Sequence, residues 1–594
     1  MDRHEMAEKI VGDRAAKQDF YRFCVNLRSV KMMCRDSLLI AQLRISVKRI
    51  LDRFGSPLPL VRVVIAFGVI ALGASCSRSE SAEQTNVDVP VAELEVCETL
   101  LAEDFTGIPD APTQVTKAQT VAANGQVRAH CRIQGYVTPN VEFVLQLPAA
   151  SEWNGKFIQM SPGGYGGETE VYTVGWCSDA LRRGYACLRH DTGHTGLSNK
   201  SSWAYNNLQA EFDYGIRGHY VAALAGKALI EHFYGSAPRY SYHFGCSGGG
   251  KQGIVEAQRF PWMFDGIIAL EPSSVTATGV VVMWNALVSH DEDGNPIFTD
   301  ADLDVLHNGA IAACDANDGL EDGIIGGDPR TCDFEPGDLL CKGDQSSGCL
   351  SQEQIEAARK IYEGPVTSEG EKLSNYFPWY PALPGSEKGA YFTRDLDYKT
   401  QYWQFMGFNP DPGPKWKGSN FNFDHDYKRT GMMDAVVNGY DNPDLRNFKA
   451  AGGKLMIIQG WEDSGLPGPL VALDYYEMAE RIMGGRAAAQ EAVRLFMIPG
   501  RSHCIAGVGA ADADFLSYLE DWVEKDAPPD MIIGSHVEPA VSLYEWPELI
   551  NALEDPDRVR FTRPHYPYPL EARYRGNGDP NDYRSFEPVE PERR

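Results

Sequence analysis

The sequence predicts an α/β protein: a mostly parallel sheet covered by helices, interrupted by a large inserted domain. Three observations predict it. Short apolar runs alternate with amphipathic helical stretches through residues 90–274 and again through 451–535. Residues 275–450, between those blocks, are rich in Gly, Pro, Asp and aromatics and show little strand alternation. A glycine cluster at 245–250 stands where a predicted strand runs into a predicted helix. The 594 residues suffice for several packed layers around a large core.

Residues 1–76 read differently from the rest. Residues 1–62 hold 13 Lys/Arg against 7 Asp/Glu, a balance of +6 that leaves −33 for the remainder. Val63–Ser75 is uncharged and mostly apolar, too short to span a bilayer as a helix. A basic flank, a short apolar stretch and small residues at its end read as an export signal, over-long at its N-terminal side. The small residues before Cys76 make it a candidate for lipidation, which would tether the chain to a membrane; simple cleavage near Ser75 is the alternative. Ser77–Gln84 then reads as a flexible tether.

The core elements follow in order. Val141–Pro148 alternates as a half-buried strand does, and Lys156–Met160 and Tyr185–Leu188 are further strands. Ile216–Tyr234 is a helix with Tyr220, Leu224, Ala228 and Leu229 on one face. Tyr240–Phe244 is a strand, Ile254–Phe260 is helical and Gly266–Leu270 is a buried strand. After the insert come the strands Lys454–Gln459 and Arg494–Ile498 and an amphipathic helix over Asp512–Glu524. Residues 536–594 form a C-terminal extension.

Composition narrows the function classes. Hydrophobic residues make up 43% and charged residues 23%, ordinary for a globular protein. A net charge of −27 repels phosphate backbones, so no nucleic-acid partner is expected. Cys24, Cys34 and Cys76 aside, ten cysteines remain, an even number that suits disulfides in an exported chain. No Cys-x-x-Cys pair occurs, which argues against a zinc ribbon.

Gly245-Cys246-Ser247-Gly248-Gly249-Gly250 fits G-x-S-x-G. Glycines permit a sharp strand-to-helix turn that thrusts a serine outward, and the next N–H, that of Gly248, faces a developing oxyanion. A glycine-rich phosphate turn with a bystander serine is the plainer reading. A serine nucleophile needs a histidine base oriented by a carboxylate, and in α/β-hydrolases the chain order is Ser, acid, His. Asp463 follows the strand Lys454–Gln459, with Glu462 as the rival acid, and His503 follows the turn Pro499-Gly500. His194 reads as structural or supporting, and His219 lies on a helix face. Cys246 precedes Ser247 and Cys504 follows His503. If serine and histidine meet, these cysteines lie close enough to bridge. Two unrelated cysteines are the alternative.

Taken together, these residues resemble the tannase/feruloyl esterase family, which includes a mono-hydroxyethyl terephthalate esterase. The Cys-Ser, Asp and His-Cys arrangement carries the resemblance. So do Trp153–Phe157, Asp191–His194, Tyr240–Gly253, Arg259–Pro261, Phe264–Gly266 and Gly452–Leu455. It extends over residues 90–530 and implies an α/β-hydrolase core with a lid and ester hydrolysis. The sequence departs from the family pattern at Lys251, at Leu270-Glu271-Pro272 and at Ser464-Gly465-Leu466-Pro467. Position and resemblance together assign the second oxyanion N–H to Gly163 or Gly164. The resemblance further implies a structural Ca²⁺ held by Asp315, Asp318, Asp322 and the carbonyls of Leu320 and Ile324, hard oxygens suited to that ion. Cys314 and Cys332 flank this loop and would staple it; the plainer reading is an acidic solvated turn. Cys341–Cys349 and Cys97–Cys131 are the other expected bridges, with Cys177 and Cys187 left open.

The expected activity is therefore hydrolysis of small-molecule esters of aromatic acids by an exported serine esterase. An acyltransferase or peptidase using the same triad is a second reading, separable by product analysis with alcohols or amines. A non-catalytic, calcium-stabilised binding protein is a third, separable by a serine-directed probe. The insert's aromatics (Trp379, Tyr380, Tyr391, Phe392, Tyr398, Tyr402, Trp403, Phe405, Phe408, Trp416) could stack on an acyl group, but most are expected to form the insert's own core.

Overall fold

Nine strands form the central sheet: β1 (Thr113–Val121), β2 (His130–Val137), β3 (Val141–Pro148), β4 (Lys156–Ser161), β5 (Ala186–His190), β6 (Tyr240–Cys246), β7 (Gly266–Leu270), β8 (Lys454–Gly460) and β9 (Val493–Ile498). Their spatial order is β1-β2-β3-β5-β4-β6-β7-β8-β9. Pairings from β5 to β9 are parallel, whereas β1–β2, β2–β3 and β3–β5 are antiparallel. The computed structural model describes residues 91–591 except 124–126, 169–172, 346, 374–395, 440–441, 464–467 and 542–545. The export segment 1–76 with Cys76, the stretch Ser464–Pro467 and the aromatics Trp379, Tyr380, Tyr391 and Phe392 lie outside the described residues.

The expected strands are present, some one or two residues longer than their apolar runs. The parallel strands have apolar side chains on both faces because helices cover both. In β7 and β8, Ile267, Leu455 and Ile457 pack into one core, and Ile268, Met456 and Ile458 into the other. Helices α1 (Gly218–Tyr234) and α2 (Gly248–Arg259) bury residues such as Val221, Ala225, Ile254 and Val255 in the first core. Helix α4 (Phe515–Lys525), capped by Asp514, buries Leu516, Leu519 and Trp522 in the second.

Between β7 and β8 the chain makes its long excursion, and the helices described there run from α3 (Val275–Val288) to Arg446–Ala450. Ser274 caps α3 by accepting from Ala277 N. Tyr402, Trp403, Phe405 and Phe408 are buried against one another and against Val280 and Met283. These four aromatics form part of the insert's own core. Its two ends are joined: Val275 N–H donates to Asn438 Oδ1 at 2.8 Å, and Asn438 Nδ2 donates to Thr276 Oγ1 at 2.9 Å. Lys251 Nζ and Arg259 Nε, both on α2, donate to the carbonyls of Val437 and Gly439 at 2.7 and 3.1 Å.

Two sequence boundaries need correction. The C-terminal extension begins before residue 536, because β12 (Ile532–Val537) crosses that point and pairs with β13 (Val559–His565). Helix α4 begins at Phe515, not Asp512, because Asp512 pairs backbone to backbone with Ser535. The extension packs on the sheet edge, with Tyr568 N–H donating to Leu495 O at 2.8 Å. It also meets the acidic loop, where Arg563 Nη2 donates to Asp322 Oδ2 at 2.7 Å.

Five disulfides join the ten cysteines: Cys97–Cys131, Cys177–Cys187, Cys246–Cys504, Cys314–Cys332 and Cys341–Cys349. The pair left open by the sequence is thus bonded. No helix among the described residues is long and apolar enough to cross a membrane.

Candidate active site

Ser247 stands between β6 and α2 with φ 60° and ψ −117°, a backbone conformation unfavourable for a residue with a Cβ. Neighbouring glycines make the turn possible. A Cβ on Gly245 would lie 2.4 Å from the Gly249 carbonyl carbon, and one on Gly249 would lie 2.5 Å from Ser161 O. The turn is anchored at both ends, by Ser247 N–H to Leu270 O and by Lys251 N–H to Ser247 O, each at 2.9 Å. The geometry is that of a strained strand-to-helix elbow at the carboxyl end of a parallel sheet, a turn able to present a serine hydroxyl.

The loop after β4 lies against the elbow, because β4 and β6 pair with Ser161 opposite Gly245. A Cβ on Gly163 would sit 3.7 Å from Ser247 Cβ, and one on Gly248 would sit 2.7 Å from Gly164 O. Gly163 and Gly164 are therefore both beside the elbow. Gly164 has φ +57°, its carbonyl accepts from Tyr214 Oη at 3.1 Å, and the next N–H, of Tyr165, donates to Ser198 O at 2.7 Å. His194 stacks on Trp203 at 3.6 Å beside this loop, and burial pushes its imidazole down to about 3. It is a neutral packing element there. His219 is buried, with Nδ1 2.6 Å from Glu256 Oε1.

Asp463 follows β8 and is buried, with Oδ1 2.9 Å from His503 Nδ1. Its Oδ2 accepts from Gln459 Nε2 at 2.9 Å, so the carboxylate is held from two sides. Between Asp463 and the rival Glu462, the contact to His503 is made by Asp463. His503 sits at the tip of a hairpin formed by β10 (Arg501–Ser502) and β11 (Ile505–Gly507), with its side chain 21% exposed. The dry carboxylate and the solvent-reaching imidazole suit an orienting acid and a proton-transferring base. The Cys246–Cys504 bridge, with Cα atoms 6.0 Å apart, ties this hairpin to the elbow.

Sequence reasoning missed three supporting residues. Gln459 ends an apolar strand with a polar side chain, which was its only signal. Glu271 and Arg501 form a fully buried ion pair at 2.6 Å beneath the disulfide. Glu271 was visible only as a departure from the family pattern. Lys251, another departure, is buried 4.0 Å over the Tyr214 ring, and burial pushes its ammonium down to about 7.

The acidic loop begins as a single turn over Asp315–Asp318, with Gly319 at φ +91°. Asp315 accepts from the amides of Asp322 and Gly323, Asp318 from Leu320, and Asp322 from Ile324. Burial, together with the charges of Asp322 and Asp315, pushes the Asp318 carboxyl up to about 7. A Cβ on Gly326 would fall 1.9 Å from Asp318 Oδ2, so only glycine leaves that oxygen its place. A hard-oxygen set whose members repel one another in a half-dry pocket fits a divalent cation. The three carboxylates do not close within 4.8 Å of one another; among the described residues only Cys246, Glu271 and Cys504 do, and those cysteines are the disulfide.

Known proteins agree with this architecture. Mono(2-hydroxyethyl) terephthalate hydrolase of Piscinibacter sakaiensis is 30% identical, across 84% of this chain and 92% of its own length. A probable feruloyl esterase B-2 of Aspergillus flavus is 29% identical, across 68% of this chain and 80% of its own. The crystal structure of feruloyl esterase B from Aspergillus oryzae matches with a TM-score of 0.71 at 25% identity, covering 84% of this chain and all of that one. Residues 125–402 and 415–589 match the family model for tannase and feruloyl esterase. The chain belongs to the tannase and feruloyl esterase family and is a carboxylic ester hydrolase.

Proposed function

We propose that the protein is an exported esterase that hydrolyses esters of aromatic acids through an acyl-enzyme on Ser247. The observation that carries this is the 2.9 Å contact of Asp463 with His503 on a hairpin bonded to the serine elbow. His503 takes the Ser247 hydroxyl proton as the oxygen attacks the ester carbonyl, and Asp463 holds the imidazole in its tautomer and stabilises the imidazolium. The Gly248 N–H and the Gly163–Gly164 loop face the oxyanion. Protonated His503 gives its proton to the departing alcohol. It then draws one from water, which attacks the acyl-enzyme and releases the acid. The aromatic acyl preference is supported by the relatives, named for feruloyl and terephthaloyl esters. Five disulfides support export to an oxidising compartment.

Incubation with a fluorophosphonate probe should label Ser247 stoichiometrically, as read by peptide mass spectrometry. A panel of feruloyl, galloyl and terephthaloyl esters should then be cleaved faster than aliphatic esters. An unlabelled Ser247, or a preference for aliphatic acyl groups, defeats the corresponding half of the proposal.

The acidic loop would hold Ca²⁺ through Asp315, Asp318, Asp322 and the carbonyls of Leu320 and Ile324. The ion would neutralise the crowded carboxylates and brace the loop against the C-terminal extension. Removing it with EGTA from protein held at a hundredfold excess over Kd should lower the Tm by about 3 °C, with recovery on adding calcium. Asp318→Asn should abolish that response. An unchanged Tm would exclude a stabilising ion.

A further inference from the structure

Two ionised side chains that the proposed triad does not use lie directly under it. Glu271 follows β7 with φ 45°, and its amide donates to Ile458 O at 2.7 Å, fixing it against β8. Its Oε1 accepts from Arg501 Nε at 2.6 Å, and both side chains are fully buried. Its Oε2 accepts the N–H of Cys504, the residue after His503, and lies 3.4 Å from Cys246 Sγ. Arg501 Nη1 also donates to Ala511 O at 2.6 Å. Cys504 takes φ 56°, so the chain carrying His503 is held in an unfavourable turn that the carboxylate clamps.

Scaffolding alone does not require charge here. Removing two ions from water is costly, and apolar side chains of similar volume often hold a core equally well. What the ions add is a field at the imidazole. Two carboxylates, Asp463 and Glu271, stand near one histidine, and unopposed they would favour its protonated form and keep it from acting as a base. Burial pushes the Glu271 carboxyl above its usual range, and the Arg501 guanidinium opposes that rise.

The geometry points to Glu271 and Arg501 as positioning residues of the His503 hairpin that also set the proton affinity of its imidazole, the carboxylate raising it and the guanidinium keeping that carboxylate ionised. This deepens the reading of Ser247, Asp463 and His503 as a triad and rests on it. Among the described residues, Asp463, with Glu462 beside it in the chain, contacts the imidazole, Glu271 interacts with it electrostatically, and Arg501 pairs with Glu271. Behind Arg501 stand Asp512, His536 and His565.

The test is the acid limb of kcat/KM against pH for 4-nitrophenyl acetate, which reports the base of the free enzyme. Glu271→Gln removes a negative charge, so the limb should move to lower pH, by about one unit. Arg501→Gln leaves the buried carboxyl without its counter-charge, so Glu271 takes up a proton and the limb should again move to lower pH, by less than in Glu271→Gln. Arg501→Lys keeps the charge, so the limb should stay while kcat falls. A shift to higher pH in either glutamine variant, or no shift in Glu271→Gln, overturns the inference. If a lone buried charge prevents folding, the apolar double variant Glu271→Met with Arg501→Met carries no unpaired ion. It should fold and lose kcat at least tenfold with KM within twofold, and an unchanged kcat overturns the positioning role. Probe labelling keeps the two failures apart. A wild-type protein unlabelled at Ser247 refutes the triad, whereas a labelled one without the expected shifts refutes only the roles of Glu271 and Arg501.

Discussion

Ser247→Ala should reduce ester hydrolysis by about 10⁴- to 10⁶-fold while leaving the fold intact. The elbow is strained for any residue with a Cβ, so alanine adds no new strain at φ 60°. It removes only the hydroxyl proposed to form the acyl bond. His503→Ala should cost a similar factor, because a serine without its base attacks poorly. Asp463→Asn should cost about 10⁴-fold, because an amide beside Nδ1 favours the wrong tautomer. The losses should not add: Ser247→Ala with His503→Ala should be no slower than either alone, since the residues act as one unit. Steady-state kcat/KM on an activated aryl ester, with circular dichroism as the folding control, decides the matter. Ser247→Ala retaining more than a hundredth of wild-type activity would remove the serine from the chemistry.

Breaking the Cys246–Cys504 bridge should lower stability and activity together. The bridge closes a loop spanning 258 positions, which on the chain-entropy model contributes about 5 kcal/mol. For a chain of this size that corresponds to a fall in Tm of about 5 °C. The kinetic effect should be larger in proportion. His503 is next to one half of the bridge and Ser247 next to the other, so loosening it frees the base from its nucleophile. A displacement near 1 Å at such a centre costs about 10²-fold in rate. The double variant Cys246→Ala with Cys504→Ala should therefore remain folded at 25 °C, lose about 10²-fold in kcat and keep KM. Removing Cys97–Cys131, far from the elbow in sequence, should lower the Tm without touching kcat. Equal kcat losses in the two variants would show that the active-site bridge acts only through global stability.

The parallel half of the sheet was legible because buried strands write themselves as continuous apolar runs, as in Gly266–Leu270. β1 and β2 were not: β1 reads Thr113–Val121 with most side chains exposed or half-buried, and its edge position leaves little apolar signal. The triad candidates were legible because glycine spacing, chain order and two flanking cysteines pointed to the same place. Their supports were not. Gln459, Glu271 and Arg501 are separated in sequence, and nothing local in a glutamine or an arginine announces which carboxylate it will meet. Only the pairing of β7 with β8, and the return of the hairpin across them, brings those charges under one imidazole.

The joined ends of the insert have an evolutionary consequence. Because Val275 and Thr276 clasp Asn438, the chain leaves the catalytic scaffold and rejoins it at nearly one point. Whatever is built between those residues can be lengthened, shortened or traded for another cap with little disturbance to the strands below. Substrate range in such a design can diverge quickly while the reacting groups stay unchanged, and chimaeras cut at these two sites would be the natural way to exchange it.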